Sequence, residues 1–229
     1  MAKKLYAIRK GKVTGIVYSW EECLNATAGY SGAEYRGFNN EDEANAYLNG
    51  RELARKSNGQ TIVISKPEVL DEVNIYTDGS YKDGFVSVGI YLETREKSFR
   101  FYGLVDARQY SSINNIAGEL FAVLVGVQLA KDMGYYRLNI LYDQDGVENW
   151  VTGGWKANGE LQSIYASLMR QYRIINGLTF NFLNVRGHSG IYGNNMADKM
   201  ANRARNFNRY IDTNKILQGR ITASDVPLF

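Results

Sequence analysis

The chain has 229 residues, is 45% hydrophobic and 22% charged, and carries a net charge of +3. This balance excludes the disordered and fibrous classes. No apolar run approaches the roughly 20 residues that a membrane-spanning helix needs. The length suits one ordinary domain with a small one attached. The charge excess is confined to the N-terminal part: residues 1–66 hold ten Lys/Arg against seven Asp/Glu, whereas 71–205 hold fourteen of each. A short basic module of that kind can meet phosphates, and an ordinary solvated face accounts for it equally well. The basic start, Met1 to Lys10, is followed by no apolar h-region, so no secretory signal is expected. A lone cysteine, Cys23, fits a reducing compartment, and a cytoplasmic protein is expected.

In chain order, Leu5–Arg9 and Thr14–Tyr18 read as short strands around the Lys10-Gly11-Lys12 turn. Ser19 and Glu22 have the spacing of a capping box that opens a helix reaching Ala28. Glu34–Phe38 is a third strand, and Asn40 caps a second helix, Glu41–Leu48. Residues 1–50 therefore form a small α+β domain, a three-stranded sheet with helices expected on one face. Residues 51–70, with Ser57-Asn58-Gly59 and Pro67, read as a linker, with strand character only around Thr61–Ile64.

A larger α/β unit follows over 71–206. Its strands are Val73–Thr77, Val86–Glu93, Ser98–Val105, Arg137–Tyr142 and Leu178–Asn184. A strong helix spans Asn115 to Met133, two helices share 144–175, and a last one runs from Asn194 to Asn206. Three successive strands followed by alternation predict a five-stranded mixed sheet flanked by helices. Residues 207–229 show no firm pattern and are expected to form an appended tail.

Four carboxylates carry the candidate chemistry. Asp78 is expected where the first strand of the larger unit meets Gly79; Asp-Gly is also a common turn pair. Glu119 lies among apolar helix residues, a costly position for a charge unless it faces solvent or is paired. Asp143 ends the fourth strand of that unit, and Asp198 lies early in the last helix. The sheet can bring these positions to one edge, where cations would offset their repulsion. Oxygen ligands select hard ions such as Mg²⁺ or Mn²⁺. Two such ions about 4 Å apart can clamp the attacking and leaving oxygens of a phosphodiester. His188, the only histidine, stands between Gly187 and Gly190 and is a candidate for proton transfer or product release.

These residues resemble a known family. Thr77-Asp78-Gly79-Ser80, Gly118-Glu119-Leu120, Tyr142-Asp143 and the stretch Gly187-His188-Ser189-Gly190 through Ala197-Asp198 are similar to the cellular type 1 ribonucleases H over about residues 73–205. The resemblance implies a ribonuclease-H-like fold and hydrolysis of the RNA strand of an RNA–DNA hybrid, leaving 5′-phosphate and 3′-hydroxyl ends. It implies two Mg²⁺ ions, with Mn²⁺ as a substitute. Asp78 would bridge them, Glu119 and Asp143 would hold the leaving-group side, and Asp198 the water-activating side. Asn115 resembles a substrate-contacting residue of the family, and helix capping is the competing reading.

The N-terminal segment resembles the hybrid-binding (viroplasmin-like) module through Tyr6-Ala7-Ile8-Arg9-Lys10-Gly11, Ser19-Trp20-Glu21-Glu22-Cys23 and Tyr35-Arg36-Gly37-Phe38. That likeness implies Trp20 and Tyr35 against DNA sugars, Arg36 on a phosphate and Tyr6 among the nucleic-acid-binding residues, roles that suit aromatic and guanidinium groups. For Tyr6 and Trp20 the alternative is closure of a tiny core. Gly37 departs from the family, where a second basic residue is usual, as does Gln144 after Asp143. The stretch Trp150 to Asn158 resembles a shortened substrate handle, with Lys156 the only Lys or Arg from Gln144 to Met169. The N-terminal module is therefore expected to supply hybrid grip. No membrane and no obligate protein partner are expected. The rival functions are a catalytically silent hybrid-binding protein and a DNA-cutting nuclease of the same fold.

Overall fold

The computed structural model describes residues 4–49, 52–55, 61–185 and 191–229, and the chain divides into two compact units, Met1–Ser65 and Lys66–Phe229. In the first unit, strands β1 (Leu5–Lys10) and β2 (Gly15–Val17), helix α1 (Trp20–Thr27), β3 (Glu34–Phe38) and α2 (Glu41–Leu48) follow in order. The sheet runs β2-β1-β3, antiparallel throughout. The expected capping box is present: Glu22 N–H donates to Ser19 Oγ at 3.2 Å and Ser19 N–H to Glu22 Oε2 at 3.0 Å. Such a cap contributes about 1 kcal/mol to an eight-residue helix that is marginal by itself.

Alternation along β1 decides where the helices go. Leu5 and Ala7 meet Phe38, Ala44 and Tyr47 beneath α2, while Ile8, with Tyr6 against it, meets Cys23 and Ala26 of α1. Neighbouring strand residues point to opposite faces, so the helices sandwich the sheet. The expectation of both on one face is corrected. The stretch read as a linker also carries structure: β4 (Glu52–Arg55) and β5 (Thr61–Ile64) pair antiparallel, and Leu53 joins the core under α2. The strand character expected around Thr61–Ile64 is β5, whereas its four-residue partner β4 is too short for alternation to register in sequence.

The second unit comprises β6 (Glu72–Lys82), β7 (Phe85–Thr94), β8 (Ser98–Asp106), α3 (Asn114–Asp132), β9 (Arg137–Tyr142), α4 (Gly146–Thr152), α5 (Glu160–Asn176), β10 (Thr179–Asn184), α6 (Tyr192–Phe207), β11 (Tyr210–Ile211) and α7 (Thr213–Leu217). Its strands lie in the order β11-β8-β7-β6-β9-β10. The β6–β7–β8 meander is antiparallel, whereas β9 joins β6, β10 joins β9 and β11 joins β8 in parallel. Among the described residues this unit supplies six strands, not five, because the supposed tail contributes β11. Val86, Val88, Ile90 and Leu92 of β7 pack in one core with the apolar helix α3. On the other face a side chain at Gly89 would overlap the Ala197 carbonyl, so this glycine seats α6 directly on the strand.

The rest of residues 207–229 is equally built in. Ile211, Ile216, Ile221 and Val226 belong to the main core. Gln128 of α3, fully buried, donates to the Ile216 carbonyl and accepts from the Ile221 N–H, both at 2.9 Å. Asp132 accepts from the Ala223 N–H at 2.8 Å. The expectation of a patternless appendage is thus corrected. Among the described residues no helix is long and apolar enough to cross a membrane.

Candidate active site

Asp78 is not at the end of its strand. β6 continues to Lys82 and turns at Asp83-Gly84, both with positive φ. What ends near Asp78 is the pairing with β9, whose last partners are Tyr76 and Leu141. Two residues further along come Asp78, still in β6, and Asp143, just past the end of β9, so the parallel register delivers both carboxylates to the point where the strands part. Crevices beyond the carboxyl ends of parallel strands are the usual binding places of open α/β sheets.

Glu119 reaches the same place through a backbone contact. A Cβ on Gly118 would lie 2.5 Å from the Gly79 carbonyl oxygen, and one on Gly79 would overlap the Gly118 carbonyl. Only paired glycines let α3 and β6 approach this closely. The Gly79 N–H donates to the Glu119 carboxylate. Burial nevertheless holds this carboxyl well above the usual carboxylate range, and the charges of Asp143 and then Asp78 push it further. The three acids are therefore electrostatically coupled.

Asp198, in the second turn of α6, lines one cavity with Asp78, Asp143, Thr77, Asn194 and Asn195. Two further oxygens of this wall, Thr77 Oγ1 and Asn194 Oδ1, are buried with no hydrogen-bond partner among the described residues. Among the described residues, no three Asp, Glu, His or Cys side chains gather closely enough to enclose a metal ion. An oxygen-rich open wall of this kind still suits Mg²⁺, which keeps waters and substrate phosphates in its shell and uses few protein ligands. The donor chemistry thus fits a hard cation.

His188 lies outside the described residues. Asn115 lies inside the first turn of α3, whose cap position is Ile113, and its side chain lies outside the described residues. In the first unit, Trp20 stands 5.4 Å from Tyr6 and 5.9 Å from Tyr35, ring to ring, and both Trp20 and Tyr35 are exposed. Arg36 is placed apart from them. It pairs with Ala7 and points to the α2 face, with its guanidinium 5.6 Å from the Phe38 ring. The sequence reading included Thr77, Gly118 and Asn194 in its motifs but gave them no role; Gly118 also stood out as a glycine inside an otherwise strong apolar helix.

A family model described as "Ribonuclease H1 N-terminal domain" matches residues 4–48, and one described as "RNase H" matches residues 71–206. The chain belongs to the ribonuclease H family. The six-stranded mixed sheet with its flanking helices is accordingly the ribonuclease H fold, and it carries a small three-stranded domain ahead of it. Ribonuclease H1 of Mus musculus is 24% identical over 254 residues, spanning 86% of this chain and 87% of that protein. Ribonuclease H of Orientia tsutsugamushi is 30% identical over 142 residues, 56% of this chain and 79% of that protein. Ribonuclease H of Saccharomyces cerevisiae is 49% identical over 43 residues, 19% of this chain and 12% of that protein.

Proposed function

We propose that this member of the ribonuclease H family is an endonuclease that hydrolyses the RNA strand of RNA–DNA hybrids and leaves 5′-phosphate and 3′-hydroxyl ends. The observation that carries this reading is the convergence of Asp78 and Asp143 at the parting of β6 and β9, with α3 brought in by the Gly79–Gly118 contact so that both charges act on Glu119. Asp78, Glu119, Asp143 and Asp198 would hold two Mg²⁺ ions, with Mn²⁺ as a substitute. Bound there, the ions would activate water and neutralise charge on the scissile phosphate. The chain's own part is to fix the carboxylates on rigid elements and to keep Glu119 partly desolvated. His188 is assigned to proton transfer or product release and Asn115 to substrate contact.

The first unit is assigned to hybrid binding. The half-buried Tyr6 and the exposed Trp20 and Tyr35 form one aromatic surface suited to sugars and bases. Arg36, on the other face of β3, would reach a phosphate only beyond that surface. The hybrid-binding domain takes in about residues 1–50, the β4–β5 segment joins it to the catalytic domain from about residue 71, and residues 207–229 belong to the latter. The single buried Cys23 fits a reducing compartment, taken here to be the cytosol. The test offers labelled hybrid, double-stranded RNA and duplex DNA side by side with Mg²⁺, and maps product ends. RNA-strand cleavage of the hybrid alone, with the stated ends, is expected. Cleavage of duplex DNA, or none of any substrate, overturns the proposal.

A further inference from the structure

We infer that Asn202, Arg205 and Ser87 are positioning residues that fix the Asp198 carboxylate for metal binding; this rests on the functional reading above. The four side chains form a hydrogen-bonded line whose direction is determined from its buried end. Ser87 is buried and its hydroxyl donates to the Ser80 carbonyl at 3.2 Å. With its proton committed, Ser87 Oγ accepts from Arg205 Nε, also at 3.2 Å. Arg205 Nη1 then points at Asn202 Oδ1 at 3.5 Å. A guanidinium only donates, so it holds the amide oxygen of Asn202 on its own side. The amide nitrogen is thereby turned to Asp198, to whose Oδ1 it donates at 3.1 Å.

The anchor of this line is informative. Ser80 lies on β6, two residues beyond Asp78, so the line ties the α6 carboxylate to the strand that carries the central one. It also holds one oxygen of Asp198, a residue that lines the cavity with Asp78 and Asp143. An i,i+4 amide–carboxylate pair on a helix surface is weak by itself. Here the amide cannot turn over without setting its nitrogen against the guanidinium, and that gives the pair its positional value. Partners that orient metal-binding carboxylates act in this way, and their removal typically weakens metal affinity by about 10- to 100-fold.

The experiment measures Mn²⁺ binding to the full chain by calorimetry, beside the Mg²⁺ dependence of hybrid cleavage and thermal melting. Wild type is compared with Asn202→Ala, Ser87→Ala, the double variant and Asp198→Asn. Asn202→Ala is expected to weaken Mn²⁺ binding about tenfold and to raise the half-saturating Mg²⁺ equally. KM for hybrid at saturating Mg²⁺ and the melting temperature should stay near wild type. Ser87→Ala should shift both metal readouts in the same direction by less. The double variant should be no worse than Asn202→Ala, because both changes break one line. If Asp198→Asn weakens metal binding but Asn202→Ala and Ser87→Ala do not, the positioning role is overturned while the functional reading stands. Additive losses, or losses confined to melting temperature, also overturn it. If Asp198→Asn itself binds and cleaves as wild type does, the functional reading has failed instead.

Discussion

At the residue scale, Glu119 is where stability and activity oppose each other. A carboxyl held above its usual range binds more protons in the folded than in the unfolded chain. Stability in metal-free buffer is then greatest below the ordinary glutamate value of 4.5 and falls as pH rises from there towards the folded value. Glu119→Gln removes that penalty. Its melting temperature at pH 7–8 without divalent ions should exceed that of wild type by a few degrees, and the advantage should vanish near pH 4. Cleavage should be lost. Calorimetric scans at both pH values check the sign, and a variant less stable at both would count against it. The paired glycines make a second case. Alanine usually stabilises a helix interior relative to glycine by about 1 kcal/mol, but at Gly118 a methyl group meets the Gly79 carbonyl. Gly118→Ala should therefore lower kcat by about 100-fold through displacement of Glu119, which steady-state kinetics on a folded variant will show.

At the element scale, the sequence revealed strands and helices with a sustained period and concealed those without one. The long helix around Glu119, the β6–β8 meander and the capped α1 were legible from alternation and capping residues. Of the hairpin after α2, β5 showed as strand character at Thr61–Ile64, whereas β4 did not, since four residues leave alternation little to repeat. The segment after α6 escaped for a different reason. Its core residues Ile211, Ile216, Ile221 and Val226 recur every five positions, a spacing that matches neither strand nor helix. They pack where α3 offers Gln128, a buried amide in an otherwise apolar helix. Gln128→Leu strands the Ile216 carbonyl and the Ile221 N–H, and should cost about 3 kcal/mol. A lower urea midpoint with an unchanged slope checks it; no change would deny the segment its bracing role.

At the scale of the whole molecule, the order of the four carboxylates along the chain was legible because motif and element type agree. Which of them share a cavity and which only feel its charge was not, because that depends on the β6–β9 register and on backbone contact at Gly79 and Gly118. In the first unit the aromatic residues were legible as a group, but the placement of Arg36 on the other face followed only from the pairing with β1. Removing residues 1–65 should weaken hybrid binding at moderate salt and reduce the salt dependence of that binding, while kcat at saturating hybrid is retained. Titrations of hybrid at several salt concentrations check this, and equal binding by both forms would contradict it.

The central claim is that this set of carboxylates cuts the RNA strand of a hybrid with the help of a hard cation. The most direct measurement is cleavage of an end-labelled RNA–DNA hybrid by wild type and by Asp78→Asn, each with Mg²⁺ and with a chelator. RNA-strand products are predicted from wild type with Mg²⁺ alone. Equal products from Asp78→Asn, or undiminished cleavage in the chelator, would contradict the account.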